Sequence, residues 1–225
     1  MDTFFLYLHI AAGFTALAIG LVAMFAPKGQ ALHNKSGLVY FWAMVLVAIT
    51  STIISLRSNP INLFLLVTGI FSFYLILTGY RATIIKNKAP QLVDKLATAI
   101  MLCTALAMLS LAAYDWFNGN GRLTIILGIF GSIGGVLAIA DLLVYRNGLD
   151  HPREWLLRHL GRMLGAYIAT FTAFAVTNLT AWLAPILLWT LPPLFGTVAI
   201  TLATRYYRKV YNVPTKKQQK ETLLP

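Results

Sequence analysis

The sequence predicts an all-α, polytopic membrane protein, a bundle of seven transmembrane helices with the N-terminus outside and the C-terminus cytoplasmic. Three observations carry that prediction. Hydrophobic residues make up 58% of the 225 residues and charged ones 11%, with a mean hydropathy of +0.72, whereas soluble domains carry roughly 25% charged residues. Seven apolar stretches, 4–26, 37–56, 61–80, 93–114, 123–145, 157–178 and 182–204, each have the length, about 20 residues, that a helix needs to cross hydrocarbon. Sixteen of the 18 Lys and Arg fall in or beside the first, third and fifth loops and after the seventh span, leaving Arg57 and Arg122 for the other side. By the positive-inside rule the basic side is cytoplasmic, and an odd number of spans agrees with that split.

The elements follow in order. The first apolar run lacks a basic leader and reaches Ala26, longer than the core of a signal peptide, so it is expected to stay as a span. Short breaks rich in Pro, Gly, Asn and Lys, such as Pro27-Lys28-Gly29 and Asn118-Gly119-Asn120-Gly121, separate the spans and favour a single transmembrane domain over residues 1–209. The fifth span carries Gly128, Gly131, Gly134 and Gly135, small residues that let a neighbouring helix approach closely. Pro185 and Pro192-Pro193 predict a kink or break in the seventh. Residues 210–225 form a basic cytoplasmic tail. Cys103 is the only cysteine, which excludes an intrachain disulfide and CxxC chemistry; a packing role within its span is expected. The net charge of +11 is sorted by topology, so membrane lipids, not nucleic acid, are the expected partners.

The sixth span carries an unusual polar line. His159, Met163, Ala166, Thr170, Ala173 and Thr177 share one helical face, with Arg162 and Tyr167 beside it. Lipid cannot solvate such groups, so this face should turn to partner helices. His33 before the second span, His151 before the sixth, Asp94 at the start of the fourth and Asp141 near the end of the fifth reach the same cytoplasmic end as His159. His33, His159 and Asp141 are candidate ligands for zinc, with Asp94 or His151 as catalytic base. His33 and His159 are alternatively the axial pair of a haem. A third account needs no cofactor: Asp141 pairs with Arg162 or Arg81, and the histidines cap helices. His9 lies roughly 20 Å away in depth at 1.5 Å per residue, with Asn178 as the expected hydrogen-bond partner.

Four segments, HIAAGFTALAIGL at 9–21, LHNKSGLVYFW at 32–42, FSFYLILTGYRA at 71–82 and HLGRMLGAYIATFTAFAVTN at 159–178, occur in an order that resembles the bacterial multi-pass membrane family called domain of unknown function 2306, especially its Bacteroidetes members. The resemblance implies a membrane bundle in the bacterial inner membrane and singles out His9 with Gly13, His33 with Gly37, and His159 with Met163 and Tyr167. Many members have Trp where this chain has Arg162. It implies no activity. Over two helices, His9, Lys28 and His33 are also similar to the order of residues in transmembrane cytochromes b. Three function classes follow: a metal-dependent hydrolase of a lipid or amphiphile, a haem-binding electron-transfer protein, and a transporter or sensor with a polar intramembrane cavity.

Overall fold

The structure, a computed structural model, describes residues 3–119, 121 and 124–214. Arg122 and the part of the basic tail from 215 onward lie outside the described residues. The described chain forms seven helices, α1 (Thr3–Phe25), α2 (Ala31–Arg57), α3 (Leu63–Ile85), α4 (Leu92–Phe117), α5 (Thr124–Asn147), α6 (Glu154–Asn178) and α7 (Pro185–Val210), with no strand among them. All seven are long and apolar enough to cross a membrane. Large side chains such as Leu106, Val136 and Phe195 are exposed on their outer faces, which suits contact with acyl chains.

The helices outrun the apolar stretches at several ends. Hydropathy measures the hydrocarbon crossing, whereas a helix continues into the interfacial region where its polar side chains are wetted. α2 starts at Ala31 and so places His33 in its first turn. Local chemistry fixes other boundaries: the Asn62 side chain accepts from the Leu65 N–H at 3.0 Å at the start of α3, and the Asp94 carboxylate accepts from the Gln91 N–H at 2.8 Å at the start of α4. Pro185 opens α7, where its missing N–H is not needed. The expected break in α7 does not occur. Pro192 and Pro193 lie inside a continuous helix, which keeps its remaining backbone bonds because hydrocarbon offers none in exchange. Cys103 is exposed on the outside of α4 and not packed within the bundle.

α3 and α6 are the centre of the molecule. On one side α1, α2, α3 and α6 close a four-helix ring in which each packs against the next; α2 and α6 stand diagonally across it without backbone approach, as do α1 and α3. On the other side the α4–α5 hairpin packs on α3, while α7 packs on α6 and reaches α5. Edge-to-face rings of Phe71, Phe130, Trp189 and Phe64 join α3, α5 and α7, with centroids 5.1–5.9 Å apart. Gly131 and Gly134 of α5 are closely approached, a Cβ on Gly131 lying 3.0 Å from the Met108 Cβ of α4, whereas nothing lies within 4 Å of Gly128.

In the ring, the Tyr40 and Tyr167 side chains meet from opposite corners, 6.4 Å between centroids, and both lie against Gly20 of α1. A Cβ there would come within 2.8 Å of the Tyr167 ring and 3.1 Å of the Tyr40 ring. Replacing Gly20 by Ala is therefore expected to destabilise the fold by about 1–3 kcal/mol, the usual scale of overpacking. Gly13→Ala, with nothing within 4 Å, is expected to be neutral. Thermal unfolding of the two variants in detergent checks the contrast.

Candidate functional site

Two polar clusters occupy the basic end of the bundle, one on each side of the α3–α6 pair. The first belongs to the four-helix ring. His33 of α2 donates from Nδ1 to the Ala23 carbonyl of α1 at 2.9 Å, and His159 of α6 donates from Nδ1 to the Gly79 carbonyl of α3 at 2.8 Å. A carbonyl only accepts, so each ring carries a proton on Nδ1, and in the neutral tautomer the lone pair lies on Nε2. The two rings come from diagonal helices and lie 6.3 Å apart, centroid to centroid, with planes at 85°. This second hydrogen bond on the far nitrogen is what orients and tunes an imidazole that ligates a metal. Lys28 lies beside them in the α1–α2 loop. Its ammonium donates to the Ala23 carbonyl at 3.2 Å and to that of Met24, and burial lowers its pKa.

The second cluster lies between α3, α5 and α6. Asp141 is fully buried and accepts on Oδ1 from Arg158 at 2.5 Å and from Arg162 at 2.7 Å. The Tyr74 hydroxyl donates to its Oδ2. Arg162 also donates to the Leu137 carbonyl at 2.9 Å and lies 5.0 Å over the Tyr74 ring. A bidentate pair stands nearby, Arg81 Nε and Nη2 donating to the two oxygens of Asp94 at 2.7 Å each. Asp141 thus pairs with Arg162, one of the two arginines expected, and with Arg158; Arg81 is taken by Asp94. Two guanidiniums around one carboxylate oppose a cation. Among the described residues no group of three or more His, Cys, Asp or Glu could hold a metal ion, so the three-ligand set of His33, His159 and Asp141 draws no support from them.

The remaining candidates have local partners. His151 accepts on Nδ1 from the Arg153 N–H at 3.2 Å, within the turn that leads into α6. His9 donates to Thr50 of α2 at 2.9 Å, since the Thr50 hydroxyl proton is committed to the Leu46 carbonyl at 2.7 Å. The expected partner, Asn178, is exposed at the end of α6 and donates to Phe174 and Thr177 of its own last turn. The reason is that α1 packs along α2 over most of its length and meets α6 more sparingly. Tyr167 donates to the Leu17 carbonyl at 3.3 Å. The hydroxyls inside the second, third and sixth helices, Thr50, Ser51, Thr52, Thr68, Ser72, Thr78, Thr170 and Thr172, each donate to a carbonyl of their own helix. Ser55 instead donates to the Asn62 carbonyl and closes the α2–α3 turn.

No family model, curated protein or solved structure matches the chain.

Sequence reading overlooked Arg158, Tyr74 and the carbonyls of Ala23 and Gly79. Arg158 was within reach, being one turn before Arg162 on the same face; the carbonyls carry no side-chain signal. Removing the carboxylate alone strands the buried Arg162 and the half-buried Arg158, so Asp141→Asn is expected to destabilise by about 3–5 kcal/mol. Adding Arg158→Gln should recover part of the loss. Unfolding midpoints of the single and double variants measure both effects.

Proposed function

We propose that this chain is a haem protein of the bacterial inner membrane, N-terminus out, in which His33 and His159 would hold the haem and the activity would be one-electron transfer. The observation that carries the reading is the pair of imidazoles. A ligating imidazole nitrogen lies about 2.0–2.1 Å from its metal, and its ring centre about 1.1 Å further. Two imidazoles on opposite sides of one metal therefore hold their centres about 6.4 Å apart, against about 5.2 Å for two ligands of a tetrahedral zinc. The separation here is 6.3 Å.

The two histidines come from diagonal corners of a four-helix ring; Ala23 of α1 and Ala26, just past its end, are buried, while Gly79 of α3 lies against Met163 and Arg162 of α6. The Nδ1 bonds to Ala23 and Gly79 fix each tautomer with Nε2 free and make the imidazole a stronger donor. Lys28 supplies a cation for a carboxylate at the mouth of the site. Held by His33 and His159, a haem would supply reversible one-electron chemistry. The chain's share is to hold both rings in one orientation through oxidation and reduction and to keep water from the centre of the bundle. Membership in the family named domain of unknown function 2306 is part of this proposal; two of the three histidines its pattern singles out are the pair described.

The protein purified after expression with supplied haem precursor is expected to show a Soret band, sharpening with a split visible band on reduction, at about one haem per chain as two histidines allow. His33→Ala and His159→Ala should each abolish the spectrum, and His9→Ala should retain it. A folded wild-type protein without haem, or a spectrum unchanged in both variants of the pair, would overturn the reading.

A further inference from the structure

Between the basic ends of α3, α4, α5 and α6 lies a recess separate from the histidine pair, with a volume of about 70 Å³. A single water needs about 10–15 Å³ on this scale, so a group the size of a phosphate is accommodated. Four cations line it, Arg81, Lys86, Lys88 and Arg158, against two carboxylates, Asp94 and Asp141. Both carboxylates are buried and already saturated: Asp94 by Arg81 and the Gln91 N–H, Asp141 by Arg158, Arg162 and Tyr74. Neither Lys86 nor Lys88 has a carboxylate partner among the described residues.

Behind the recess, and not among the side chains that line it, Arg162 is buried and shares Asp141 with Arg158, so the single carboxylate leaves the Arg158 guanidinium, which does line the recess, only partly neutralised. At the rim, Lys86 is the C-cap of α3. Its ammonium stands 5.2 Å over the Trp155 ring, and an indole with lysines and arginines is the set that meets phosphate at a membrane interface.

We infer that this recess binds a phosphate group, delivered either by an anionic lipid headgroup or by a soluble phosphate, with Lys86, Lys88 and Arg158 as its cationic contacts. The site does not depend on the haem reading. The test uses the full chain in nanodiscs, with wild type compared with the Lys86→Gln/Lys88→Gln variant, which leaves both buried ion pairs intact. In the lipid arm, phosphatidylcholine discs containing a minority of phosphatidylglycerol are analysed by native mass spectrometry for retained phosphatidylglycerol. In the soluble arm, inorganic phosphate is titrated into pure phosphatidylcholine discs and Trp155 fluorescence followed, with Trp155→Phe as the blank. Binding in either arm that weakens about tenfold or more in the double variant, the scale of two lysines at an anionic surface, supports the site, and the arm that responds identifies the source. Binding in neither arm, or equal binding by wild type and variant, overturns it.

Discussion

Hydrocarbon offers no hydrogen bonds, and the structure of this protein follows from that constraint. Polar side chains carried into the bundle find their partners on the protein, the Tyr40 hydroxyl and the Arg162 Nη1 excepted. Most serines and threonines bond within their own helices, while Thr50 also meets His9, Thr98 meets Tyr145 and Ser55 reaches Asn62. The ionisable groups cannot, and each therefore ties one helix to another: His33 to α1, His159 to α3, His9 to α2, Asp141 to α6 and Tyr74, Asp94 to Arg81. Because such ties are costly to break singly, they fix which helices are neighbours where interchangeable Leu and Phe contacts with lipid would not.

The ties converge on α3 and α6, and that explains the separation of the two clusters. One face of α6 presents His159 to the four-helix ring, while Arg158 and Arg162, on a neighbouring face, reach Asp141 on the other side. The guanidiniums are thereby kept paired away from the imidazoles. The rings are left with free Nε2 atoms and Lys28 as the nearby cation. In the ring itself, Gly20 lets the Tyr40 and Tyr167 side chains fill the interior below the histidines, so the level of His33 and His159 is closed from the rest of the membrane interior by packed aromatic side chains.

The architecture was legible in the sequence because membrane topology is written in long apolar runs and in the sorting of charge, and both survive without knowledge of contacts. The pairing of Asp141 with Arg162 and the close packing at Gly131 were readable for similar reasons: a buried carboxylate demands a cation, and a glycine repeat demands a neighbour. What was not legible depended on lateral order. Nothing in the sequence says that α1 lies along α2, so Thr50 could not be chosen over Asn178 as the partner of His9. Nor does it say that α5 stands across α3–α6 from the ring, which is why Asp141 was grouped by depth with His33 and His159 although it belongs to the arginines. Depth is a one-dimensional coordinate, and a metal site needs three.

The central proposal is that His33 and His159, whose rings lie 6.3 Å apart with planes at 85°, would hold one haem between them. Low-temperature electron paramagnetic resonance of the oxidised protein tests it directly. The account predicts a strongly anisotropic low-spin ferric signal, the signature of two axial imidazoles in crossed planes. A high-spin ferric signal, from iron held by one imidazole, or the absence of any iron signal in folded protein would contradict it.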